Sequence, residues 1–174
     1  MRTSLVLTVI GDDKPGIVEQ ISDRVAAASA NWEESSMARL AGKFAGVLRV
    51  SVPADRADAL AAGLRTLSTS GLTVVVEGSL APEPPPSQRL HLSVVGNDRP
   101  GIVRDIARTL ASHQVNIELL DTDVTGAPMS GEPLFHAEAT LRVPAGVTVN
   151  QLRAVIEALA GELMVDVSFE DVEP

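Results

Sequence analysis

Gly11-Asp12-Asp13-Lys14-Pro15-Gly16-Ile17-Val18 recurs as Gly96-Asn97-Asp98-Arg99-Pro100-Gly101-Ile102-Val103, with six of the eight positions identical. The two stretches stand 85 residues apart, and the same offset carries Leu5, Leu7 and Val9 onto Leu90, Leu92 and Val94. It also carries Ile21 onto Ile106, Val25 onto Leu110 and Asn31 onto Asn116. Self-similarity at one fixed offset marks a repeated structural unit. Between the copies runs Ala81 to Gln88, whose four prolines remove backbone donors and favour a stiff, extended connector. A first domain over 1–80, a linker over 81–88 and a second domain over 89–174 are therefore expected.

Each copy reads as the same six elements. Leu5, Leu7 and Val9 alternate, which sets one face of a strand on a core. Pro15 and Pro100 suit a first helical turn, where a missing N–H costs nothing, and Ile17, Ile21, Val25 and Ala28 follow at helical spacing. Strands are predicted near 31–40 and 43–52, then a helix with Ala57, Leu60, Leu64 and Leu67 on one face, then a strand near 72–78. In the second copy Phe135, Ala137, Ala139, Leu141 and Val143 alternate as a strand. Thr148 with Gln151 reads as a capping box ahead of Leu152, Ile156 and Leu159, and Leu163, Val165 and Val167 as the last strand. The order βαββαβ with right-handed crossovers predicts an α+β fold of two tandem ferredoxin-like domains, each an antiparallel sheet with helices on one face. Domains of about 80 residues are marginal alone, so side-by-side pairing of the copies around a cleft is expected.

Composition narrows the function classes. A formal charge of −9 disfavours direct nucleic-acid binding, which depends on Lys and Arg displacing counterions. Aromatic residues at 2% leave little on which single-stranded bases could stack. With no cysteine there is no disulfide, thiolate metal site or cysteine nucleophile. No apolar run reaches the length of a membrane span and the start lacks a signal-peptide pattern, so a cytoplasmic protein without membrane attachment is expected.

The motif carries the chemistry. A strand that runs through Gly-(Asp/Asn)-Asp-(Lys/Arg)-Pro-Gly into a helix gathers free amides and the positive end of a helix dipole, which attract a carboxylate. Asp13 and Asp98 beside it offer a partner for an ammonium group, so each loop presents both charges that an α-amino acid needs. Gly16 and Gly101 lack the Cβ that would block close approach. The tetrapeptide Asp13-Lys14-Pro15-Gly16 within it is also a competent turn and helix start with no ligand. Asn31 and Asn116, opening the second strand of each copy, read equally as ligand donors or as turn residues.

The chain resembles tandem ACT-domain proteins, and more narrowly the glycine cleavage system transcriptional repressor family. The resemblance rests on the duplicated octapeptide, on Asn31-Trp32-Glu33 and Asn116-Ile117-Glu118, and on the long turn Thr125–Phe135 before a strand His136–Val143. It implies a non-enzymatic regulatory protein that binds an amino acid, glycine or similar, at an interface between two domains. The residues so implied are Asp12, Asp13, Pro15, Gly16, Ile17, Val18 and Asn31 in one copy, and Asn97, Asp98, Pro100, Gly101, Ile102, Val103 and Asn116 in the other. Many amino-acid-binding members carry Asn where this chain has Asp13 and Asp98. The narrower family implies action through a partner regulator protein rather than direct DNA contact, and a homodimer is compatible with it. The alternative is a regulatory subunit of an amino-acid or folate enzyme.

No Gly-x-Ser-x-Gly elbow, phosphate-binding loop or His-Glu-x-x-His helix occurs, so no catalytic residue, metal or cofactor is expected. His91 and His136 fall on the face opposite Leu92 and Leu141 and are expected as neighbours on a polar sheet face rather than as metal ligands. His113 suits a helix end, and Trp32 reads chiefly as a packing residue with ligand cover as the alternative.

Overall fold

The computed structural model describes residues 1–78, 87–126 and 131–171. The alternation of Leu5, Leu7 and Val9 becomes β1 (Arg2–Asp12), with those three side chains buried and Val6, Thr8 and Ile10 turned to the other face. There follow α1 (Ile17–Ala27), the hairpin of β2 (Asn31–Leu40) and β3 (Lys43–Pro53), α2 (Ala57–Arg65) and β4 (Leu72–Gly78). The second set is β5 (Ser87–Asn97), α3 (Ile102–Ser112), β6 (Asn116–Gly126), β7 (Pro133–Pro144), α4 (Val149–Leu163) and β8 (Val165–Asp171). Positions 81–86 of the expected connector lie outside the described residues, while Ser87 and Gln88 already belong to β5. The chain divides into two units, Met1–Pro82 and Glu83–Pro174.

Each unit holds a four-stranded antiparallel sheet, in the order β2-β3-β1-β4 and β6-β7-β5-β8. This is the ferredoxin-like arrangement, with the first and third strands of each unit central. On the first sheet's buried face, Leu7, Val9, Leu48 and Val50 meet Ile21 and Val25 of α1 and Leu60 and Leu64 of α2. In the second unit Leu92, Leu141 and Phe135 meet Ile106, Leu110, Leu152 and Ile156 in the same way. Each such side chain contributes about 1.5–3 kcal/mol on leaving water, more than the roughly 0.7 kcal/mol that separates ordinary residues in helix propensity. The capping box forms as read: Gln151 N–H donates to Thr148 Oγ1 and Thr148 N–H donates to Gln151 Oε1, both at 3.3 Å.

Three expectations shift. Pro15 and Pro100 precede the helices instead of opening them, because Gly16 and Gly101 are the N-caps at φ 90° and 100°. A left-handed residue ends the preceding turn, and right-handed helix begins only after it. Leu163 closes α4 in the core instead of entering β8, with Met164 at φ 54° making the turn. The turn between β6 and β7 is shorter than Thr125–Phe135, since β6 runs to Gly126 and β7 starts at Pro133; residues 127–130 lie outside the described ones.

Candidate functional site

β1 and β5, the central strands, each deliver one motif loop. A Cβ on Gly11 would lie 2.9 Å from the Gly71 carbonyl oxygen, and one on Gly96 would lie 2.9 Å from Val165 Cα. These first glycines are therefore demanded by strand packing. Asp13 N–H donates to the Gly42 oxygen and Asp98 N–H to the Pro133 oxygen, each at 2.9 Å, which ties the loop to the neighbouring hairpin. Ile17 and Ile102 are core residues.

What remains for a ligand is the helix mouth. Gly16 and Gly101 carry no side-chain cap, and their own carbonyls already accept from Gln20 and Asp105 N–H at 3.0 Å. The first-turn amides have no partner within the helix and lie at the positive end of its dipole. Val18 and Val103 follow in the first turn at 47% and 41% exposure, and Val103 also lines an apolar cavity of the second unit with Leu92, Val94 and Ile106.

The two loops differ in charge. In the first, Arg39 Nε donates to Asp13 Oδ2 at 2.6 Å and Lys43 pairs with Asp12. The hydrogen bond from Lys43, reinforced by its charge and that of Lys14, holds the Asp12 carboxyl below the usual carboxylate range. Sequence reading missed both cations; opposite signs at the end of β1 and on the β2–β3 hairpin are a signal only once the register is known. Arg39 pairs with Phe44 in the ladder, and the position that pairs with Phe135 in the second unit is Val124. Lys43 stands opposite Asp12, and Asn97 stands opposite Leu134. Among the described residues the matching ladder positions of the second unit therefore do not carry these two pairs of opposite charges. Instead Arg104 donates to Asp105 at 2.8 Å, a bond that lowers the Asp105 pKa, and a Cβ on Gly101 would lie 3.1 Å from Arg104 Nη2.

The ACT domain family profile matches residues 3–77 and again residues 91–157, together most of the chain. This chain belongs to the ACT domain family. It is 27% identical over 164 residues to the glycine cleavage system transcriptional repressor of Escherichia coli strain K12, a match covering 91% of this chain and 85% of that one. The Shigella flexneri repressor matches with the same identity and the same coverage. Among solved structures, an unknown protein from Galdieria sulphuraria superposes with a TM-score of 0.88 at 29% identity, over 99% of this chain and 100% of that one.

Within each ACT unit the register separates the expected site residues. Asn31 pairs with Ser51, which pairs with Ser4 at the start of β1; Asn116 pairs with Arg142, which pairs with Arg89 near the start of β5. From Ser4 to Asp12, and from Arg89 to Asn97, the central strand spans eight residues, roughly 26 Å at about 3.3 Å per residue. No one ACT unit brings its own Asn to its own motif loop. The glutamates of the Asn-x-Glu pattern sit at β-bulges, where the register slips between Trp32 and Glu34 and between Ile117 and Leu119. Glu33 takes Arg49 at 3.3 Å, and Glu118 takes Arg89 at 2.9 Å and Arg142 at 3.4 Å. That half of the pattern has a structural role.

Trp32 packs against the core of the first ACT unit. His91 and His136 are not neighbours: His91 lies opposite Thr140 and His136 opposite Val95, four residues further along β5. His91 Nε2 meets Glu138 at 2.8 Å and His136 meets Thr125 at 3.2 Å. His113 caps α3, its Nδ1 3.0 Å from the Thr109 oxygen. Among the described residues no cluster of acidic or histidine side chains is placed to hold a metal ion, and no helix is long and apolar enough to cross a membrane.

Proposed function

We propose that this chain is a non-enzymatic regulator that senses an amino acid, glycine or one similar, and transmits occupancy to a partner protein. The carboxylate sits on the uncapped first-turn amides of α1 or α3, with Val18 or Val103 flanking it, and the ammonium on the loop aspartate. The duplicated helix mouth, with its exposed valine and no side-chain cap, is the observation that carries this reading. The likeness to repressors over nearly the whole chain supports a regulatory role, and the net charge of −9 supports contact with DNA through another protein. Asn31 and Asn116 join the site only where a further copy of the domain brings its strand end to the loop.

Occupancy and partner binding must be coupled reciprocally: a ligand that tightens the partner is itself tightened by it, by the same factor. Titration calorimetry with glycine, serine, alanine and other amino acids tests the reading, alone and with a captured partner. A saturable heat with one of them, lost in Asp98→Ala, supports it. No heat and no thermal shift with any of them defeats it. A partner that proves to be a metabolic enzyme shifts the reading to a regulatory subunit.

A further inference from the structure

The two units differ most on the sheet face turned away from the helices. In the first unit the register lines up Ser36, Val47, Thr8 and Val75 across the four strands, and Ala38, Ala45, Ile10 and Thr73 in the next row. None of these side chains is charged, and Val47, Ile10 and Val75 are 48%, 48% and 49% exposed. The corresponding rows of the second unit are Asp121, Glu138, Ser93 and Ser168, then Asp123, His136, Val95 and Asp166. The architecture is the same, so the contrast comes from the side chains alone. An open antiparallel face is ordinarily polar, as the second one is. A contiguous uncharged, partly apolar patch on a strongly acidic chain marks an association surface.

We propose that this face of the first unit packs on the same face of a second copy of the chain. The rows are complementary to themselves about a two-fold axis that runs parallel to the strands between β3 and β1. β3 then lies over β1 of the other copy, and β2 over its β4. Ala45 meets Ile10 of the other copy, Val47 meets Thr8 and Ser36 meets Val75, small against large, as close packing of two sheets requires. At one end of the face Lys43 meets Asp12 of the other copy, so two intrachain pairs become a square of alternating charge. At the other end Glu34 meets Glu77 at the solvated rim, with Arg49, 3.4 Å from Glu34, beside them.

Charge selects the same location. Two copies at −9 each repel over most of their surface, and an uncharged patch is where that repulsion is least and apolar burial greatest. Strands about 4.8 Å apart and same-face residues about 6.7 Å apart give four rows, the two uncharged ones and the two charged rows that flank them, an extent of roughly 20 Å by 27 Å. That is on the order of 500 Å² per copy before side-chain relief is added, close to the ~600 Å² per partner at the lower end of stable interfaces.

Sedimentation velocity on the full chain tests the proposal independently of any amino acid. A concentration-dependent dimer is expected, with Val47→Lys and Val75→Glu each weakening it at least about tenfold while the far-UV circular dichroism stays unchanged. Leu119→Lys, on the second unit, is expected to leave the dimer intact. A wild-type chain that is monomeric at about 100 μM, where a micromolar Kd would be saturated, overturns the proposal. So does a dimer that survives both first-unit variants, or one lost through Leu119→Lys alone.

Discussion

Arg39 holds the Asp13 carboxylate at 2.6 Å, and the residue at the same ladder position in the second unit is Val124. An aspartate already paired with a guanidinium has less attraction left for an incoming ammonium. The two motif loops, nearly identical in sequence, are thus unequal in charge. Val124→Arg is expected to place a competing cation near Asp98 and weaken amino-acid binding by about tenfold, and Arg39→Val to strengthen binding at the first loop. Calorimetric titration of both variants, read as affinity and stoichiometry, checks this; unchanged isotherms in both would show that the aspartates take no part.

The motif glycines are expected to fail for different reasons. Gly16 and Gly101 sit at φ 90° and 100°, where a Cβ costs about 1–2 kcal/mol. At Gly16 the first atom a Cβ would meet is Glu19 Oε2 at 3.5 Å, so conformation alone decides. At Gly96 a Cβ would meet Val165 Cα at 2.9 Å, and strand separation adds an overpacking cost of about 1–3 kcal/mol. Urea denaturation is expected to rank Gly96→Ala as more damaging than Gly16→Ala; the reverse order would contradict the packing argument.

Met164 occupies the left-handed position at the end of α4, and its counterpart before β4 is Gly71 at φ 84°. A methionine there is strained and 79% exposed, so it gains little packing in return. Met164→Gly is expected to stabilise the chain by up to about 1 kcal/mol, seen as a higher denaturation midpoint. At the opposite end of the same helix, Thr148→Ala is expected to cost about 1 kcal/mol through loss of the cap, with faster amide exchange in the first turn.

Asp12 titrates below the ordinary carboxylate value because Lys43 stabilises its charged form. A carboxyl whose folded pKa is depressed contributes stability above its unfolded pKa, and that contribution disappears as pH falls through the folded value. Comparing denaturation midpoints at pH 6 and in the acid range is expected to show a smaller acid loss in Asp12→Asn than in the wild type. Both partners are solvent-exposed, so added salt should shrink the difference.

Spacing made much of the architecture readable. Leu5, Leu7 and Val9 at period two, and Ile17, Ile21 and Val25 at helical period, specify burial from positions only a few residues apart. Two of the differences lie at boundaries: Pro15 stands ahead of the helix that Gly16 caps, and Leu163 closes a helix before the strand that begins at Val165. Both turn on a left-handed residue, whose φ is set by how the chain must redirect rather than by its neighbours' hydrophobicity.

Residue order on its own determined the duplication, the βαββαβ series and the inward-facing side chains, because those follow from local periodicity and from one repeated octapeptide. Only the folded chain decided that Arg39 reaches Asp13, that Asn31 stands at the far end of the sheet from its own loop, and that one open face is neutral and the other acidic. Each of these depends on which residues stand opposite one another on adjacent strands. Hydrophobic alternation and turn geometry fix which face each strand buries, but the pairing of β1 with β3 and of β5 with β7 joins segments remote along the chain, so the spacing within one segment does not show it.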